Sequence, residues 1–73
     1  MNKALETLGE RMVVLMRVIN IDGFHSNNNA KFRHELSGMI MAVQAMDIDI
    51  DFDYDREVTH YTAVILMGKR YEV

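Results

Sequence analysis

Across residues 47–55, Asp-Ile-Asp-Ile-Asp-Phe-Asp-Tyr-Asp, an acid alternates with an apolar residue without a break. Successive side chains on a β-strand point to opposite faces, so a strand would sort these letters completely. Ile48, Ile50, Phe52 and Tyr54 would face a core, and Asp47, Asp49, Asp51, Asp53 and Asp55 would face water. A helix would scatter the carboxylates around its cylinder, and Asp is a poor helix former. The stretch is therefore expected to be a strand, with an unusually acidic outer face.

The segments on either side follow different periods. Leu5, Leu8, Met12, Leu15, Met16 and Ile19 recur at spacings of three and four, which predicts an amphipathic helix over about residues 2–20. Gly23 is expected to close that helix, and Ser26-Asn27-Asn28-Asn29 has turn chemistry. Phe32, Leu36, Met39, Ile40, Val43 and, at the end, Met46 predict a second helix over about 29–46, with Asn28 or Asn29 as its N-cap. Gly9 and Gly38 lie inside these helices, where glycine costs up to about 1 kcal/mol, so each is expected to mark a close approach.

After the acidic segment, His60 to Met67 is rich in β-branched and aromatic residues and reads as a second strand. Gly68-Lys69 fits a hairpin turn, and residues 70–73 alternate again. The expected fold is α+β: two antiparallel helices on one face of a three-stranded antiparallel meander, in the order α-α-β-β-β. Strand two is apolar on both faces, and Val64 and Leu66 are assigned to its outer face, away from the helices.

The chain has 73 residues, no cysteine and no proline, which limits it to a single domain (1–73) without disulfides or thiolate metal sites. Glu6 and Arg17 interrupt the apolar runs that a signal peptide or membrane span would need, so a cytoplasmic protein with no membrane association is expected. The net charge of −3 is unevenly spread: +1 over residues 1–46, −5 over 47–55 and +1 over 56–73. A nucleic-acid-binding chain would show a basic patch instead, so direct nucleic-acid binding is not expected.

Catalytic and metal motifs do not complete themselves. Asp47-x-Asp49-x-Asp51 resembles the opening of a calcium loop, but Phe52 and Val58 occupy the places of its required glycine and glutamate. Carboxylates on one strand face stand about 6.7 Å apart, too far for three to share an ion. His34-Glu35 would begin a zinc-protease helix, yet Gly38 takes the place of the second histidine. Neither a metal, a cofactor nor an enzymatic activity is expected.

Two functional readings follow. In the first, the chain is a small binding protein, an inhibitor whose Asp47, Asp49, Asp51, Asp53 and Asp55 occupy a basic, nucleic-acid-binding surface on a partner protein. Arg56 and Arg70 are expected to shield the ends of the row, leaving its centre for the partner. Very small acidic proteins without catalytic motifs are frequent among phage and mobile-element inhibitors, an analogy of class only. In the second, the chain is a structural or adaptor homo-oligomer, and the acids merely keep an edge strand from pairing. Under either reading, Val13, Val14 and Val18 widen the apolar stripe of the first helix beyond one face. This predicts a homo-oligomer, most simply a two-fold dimer, with Val14, Val18, Met41 and Val64 at its contacts.

Overall fold

The computed structural model describes residues 3–22 and 27–73. Helix α1 (Lys3–Asp22) is followed by a short 3₁₀ turn (Asn27–Asn29) and helix α2 (Ala30–Ala45). Strands β1 (Ile50–Asp55), β2 (His60–Leu66) and β3 (Lys69–Glu72) then form one antiparallel sheet in the order β1-β2-β3. This is the α-α-β-β-β arrangement expected from the periodicities. The expected helix stop at Gly23 and the turn residue Ser26 lie outside the described residues.

The core lies between the helices and one face of the sheet. Met12, Leu15, Met16 and Ile19 of α1 are almost fully buried, and Leu36 and Val43 of α2 meet them from the side. Each such side chain contributes roughly 1.5–3 kcal/mol of transfer free energy. Val64 and Leu66 of β2 belong to this core, at 0% and 2% exposure. That reverses the face assigned from sequence, and it removes Val64 from the candidate subunit contacts. In register, Phe52 and Tyr71 flank Val64 and Ile50 flanks Leu66, so these positions share the helix-facing side. A strand apolar on both faces carries no period-two signal to say which face is inner, which is why the sequence misled here.

The acidic strand begins three residues later than its alternation suggests. Asp47 has a φ of +57°. Its N–H donates to the Gln44 carbonyl at 3.0 Å, and the Ile48 N–H donates to the Val43 carbonyl at 3.2 Å. This pair of bonds, with a left-handed residue between, is a Schellman C-cap on α2. Ile48 and Val43 share the hydrophobic cluster, the apolar contact that accompanies such a cap. At the other helix junction, Asn29 takes the N-cap position of α2 but makes no side-chain cap bond. Its buried Nδ2 instead donates to the Ile19 carbonyl at 3.0 Å, satisfying one of the acceptors left open at the end of α1.

The second hairpin turn is also displaced by one residue. Leu66 pairs with Lys69, so Met67 and Gly68 are the central residues, with φ of +49° and +82°. Two positive φ values define a type I′ turn, which matches the twist of the strands it joins. Gly9 fulfils its expectation, because the Tyr71 ring lies against it. Gly38 does not: a Cβ there would meet nothing within 4 Å.

Candidate acidic binding face

β1 is an edge strand, and Asp51, Asp53 and Asp55 stand exposed along it. The Met67 N–H donates to the Asp49 carbonyl at 2.9 Å, which fixes the alternation of the ladder. Two residues on, Asp51 turns its backbone groups toward β2, and Phe52 turns its N–H to the free edge. That N–H donates to Asp51 Oδ1 at 2.8 Å. The carboxylate thus occupies a donor that another strand could have used. Asp55 accepts from the Glu57 N–H at 2.9 Å and shapes the turn into β2.

Asp53 has a different partner. Arg70 of β3 reaches across β2 and forms ion pairs with Asp53 on β1 and with Glu72 on its own strand. Asp53, Ala63 and Glu72 are cross-strand neighbours, so the guanidinium bridges two carboxylates over Ala63. Ala63, although on the outer face, is fully buried. A larger side chain at this position would obstruct that crossing. Arg70 therefore pairs with the middle of the acidic row, sharing one charge between Asp53 and Glu72, where it was expected to shield an end of the row.

Asp47 and Asp49 precede the strand, and both are exposed. With Gln44, Ile48 and Ile50 they line an open concavity of about 360 Å³ between the end of α2 and the start of β1. Two carboxylates above two isoleucines suit a lysine or arginine side chain, which brings an apolar stem and a cationic head. Ile48, Ile50 and Phe52 pack against the core as expected. Tyr54 remains 40% exposed and meets Tyr61 edge-on at 5.1 Å. A bulge between Asp53 and Tyr54 shifts the register there.

Among the described residues, no group of three or more His, Asp or Glu side chains converges as a metal site. Among them, too, no helix is long and apolar enough to cross a membrane. Of the remaining candidate contacts, Met41 is 66% exposed and Val14 45% exposed, while Val18 is partly covered. The Arg70 crossing and the Asp47 cap were missed from sequence, although an apolar Ile48 five residues after Val43 was a readable sign of the cap.

Fold and surface together define a small α+β domain with an acidic sheet edge. No protein-family model matches the chain, and no curated protein or solved structure matches it either.

Proposed function

We propose that this protein is a small non-enzymatic binding protein that presents the Asp47–Asp55 face to a basic, nucleic-acid-binding surface of a partner protein, acting as an inhibitor of that surface. The observation that carries this reading is the position of Asp47 and Asp49. Edge protection explains acids along the paired edge, where Asp49 still meets β2 through its carbonyl, but Asp47 lies on the helix cap, and the two together line the concavity. Asp47 holds a left-handed conformation that favours glycine or asparagine, and its charge sits at the negative end of the α2 dipole. The left-handed turn closes the cap on α2, but a carboxylate is not the side chain that the cap or the dipole favours; here it stands beside the concavity.

The row carries one charge per about 6.7 Å, against one per about 1.7 Å of duplex DNA. It therefore matches a limited cluster of lysines and arginines rather than the whole length of a nucleic-acid groove. The second reading, a structural or adaptor homo-oligomer with a protected edge, is favoured by the bond from the Phe52 N–H to Asp51 and by the pairing of Asp53 with Arg70. Those contacts give Asp51 and Asp53 intramolecular roles, but not Asp47 or Asp49.

The test is affinity capture from the native host, followed by mass spectrometry, with the wild type and an Asp47→Asn/Asp49→Asn variant as baits. The proposal expects a nucleic-acid-handling protein held by the wild type and lost by the variant. An identical set of partners for both baits would leave only the second reading.

A further inference from the structure

Helix α1 turns one side to solvent, away from the sheet and from α2. Glu10, Val14, Arg17 and Ile21 stand along it at spacings of four, three and four residues, a single stripe. Val14 is 45% exposed and Ile21 80%. Beside the stripe, Val13 and Tyr71 line a groove of about 420 Å³ between α1 and β3, together with Arg70 and Glu72, which pair with each other. Glu10 and Arg17 both border that groove, and neither makes an ion pair among the described residues.

We infer that this side of α1 is a two-fold interface with a second copy of the chain, in which the α1 helices lie antiparallel and Glu10 of each copy pairs with Arg17 of the other. The geometry follows from the helix itself. Residues seven apart lie within about 20° of each other around the cylinder and about 10 Å apart along it. The midpoint between Glu10 and Arg17 falls between Val13 and Val14. A two-fold axis at that level, perpendicular to α1, sets each glutamate opposite the other copy's arginine and closes Val14 at the centre. An isologous interface requires this reciprocity, in which residue i meets j and j meets i.

The same features argue against other occupants. A uniformly basic or acidic partner would gain at one of the two charges and lose at the other. Two parallel helices in register would set glutamate against glutamate and arginine against arginine. Of these arrangements the antiparallel copy satisfies both charges, with Val14 at an apolar centre inside a polar rim. The interface leaves Asp47 and Asp49 open, because β1 lies at the opposite edge of the sheet from β3, although Arg70, which pairs with Asp53, borders the groove. The inference does not rest on the function proposed above.

The experiment is sedimentation equilibrium of the wild type over a wide concentration range, alongside Glu10→Arg, Arg17→Glu and the double reversal. The wild type should reach the mass of a dimer. Each single reversal places like charges together and should weaken dimerisation by about tenfold or more, and the double reversal should restore it. Circular dichroism checks that each variant is folded. If a reversal variant loses helix, Glu10→Gln and Arg17→Gln replace it, and each should weaken the dimer. A wild type that stays monomeric at the highest concentration would overturn the inference. So would a dimer indifferent to every one of these changes, or one weakened by the single reversals but not restored by the double.

Discussion

The ring of Tyr71 lies against the backbone of Gly9 so closely that a Cβ on residue 9 would stand 2.8–2.9 Å from three ring carbons. The ring is held from β3, where Lys69 Nζ sits 5.1 Å from its centroid and reaches Glu6 Oε1 at 3.0 Å. Glycine at this point lets the third strand close on the first helix. Gly9→Ala should gain up to about 1 kcal/mol of helix propensity but lose roughly 1–3 to overpacking, for a net destabilisation of about 1 kcal/mol. Gly38→Ala, in open space, should stabilise by up to about 1 kcal/mol. Urea denaturation of the two variants should move the midpoint in opposite directions.

Met67 supplies a second prediction. It holds a φ of +49° at the first central position of a type I′ turn and is 63% exposed, so no packing offsets its backbone cost. Asn-Gly is the favoured pair for such a turn. Met67→Asn should raise stability by roughly 0.5–1 kcal/mol, whereas a β-branched Met67→Val should lower it by about 1 kcal/mol. Thermal or urea denaturation reads both. An equal effect of the two substitutions would count against the turn geometry.

Asn20 joins α1 to the sheet through both ends of its carboxamide. Its Nδ2 donates to the Tyr61 carbonyl at 2.9 Å, and its Oδ1 accepts from the Tyr61 N–H at 2.9 Å. These bonds are part-buried, so truncation leaves two backbone groups poorly satisfied. Asn20→Ala should cost roughly 1–3 kcal/mol. Hydrogen exchange should show the Tyr61 amide losing protection beyond the global loss.

The ion pair between the helices predicts a pH dependence. Arg11 Nε lies 2.7 Å from Glu35 Oε2, and its Nη2 donates to Oε1 at 3.1 Å. The hydrogen bond from Arg11 lowers the Glu35 pKa from its ordinary value. A folded-state pKa below the unfolded one gives stability that is present above the unfolded value and lost as the pH falls through the folded one. The pair should therefore stabilise at neutral pH and stop doing so in the acid range below about pH 4.5. In Glu35→Gln the acid limb of the stability profile should be shallower, and its difference from wild type should vanish at low pH. Because both groups are exposed, the effect should also shrink in high salt.

The order of elements was legible in the sequence because three periods were: a helical stripe in Leu5–Ile19, another in Phe32–Val43, and an alternation of two from Ile48 onward. What escaped was set by backbone conformation and by pairing between distant residues. The acidic strand loses its first three residues to the C-cap at Asp47, since alternation alone does not say where a helix stops unwinding. The hairpin turn falls on Met67-Gly68 because the ladder pairs Leu66 with Lys69. A methionine in the left-handed region is not a local preference that sequence reveals. Val64 was misplaced because residues 63–67 are all apolar and mark no face. Of the acidic site, the exposure of the five aspartates was legible, but the reach of Arg70 to Asp53 depends on strand order and on a small Ala63 between them.

The most direct test of the acidic face is the affinity of the captured partner for Asp47→Asn/Asp49→Asn, measured by calorimetry across a range of salt concentrations. Folding stability should be unchanged or slightly higher, since neither carboxylate stabilises the free protein. Binding should weaken by about tenfold or more, and its salt dependence should flatten. Asp53→Asn should have the smaller effect, because the Asp53 carboxylate is already paired with Arg70. Unchanged affinity and unchanged salt dependence in the double variant would contradict the account and leave the row as protection for the edge of β1.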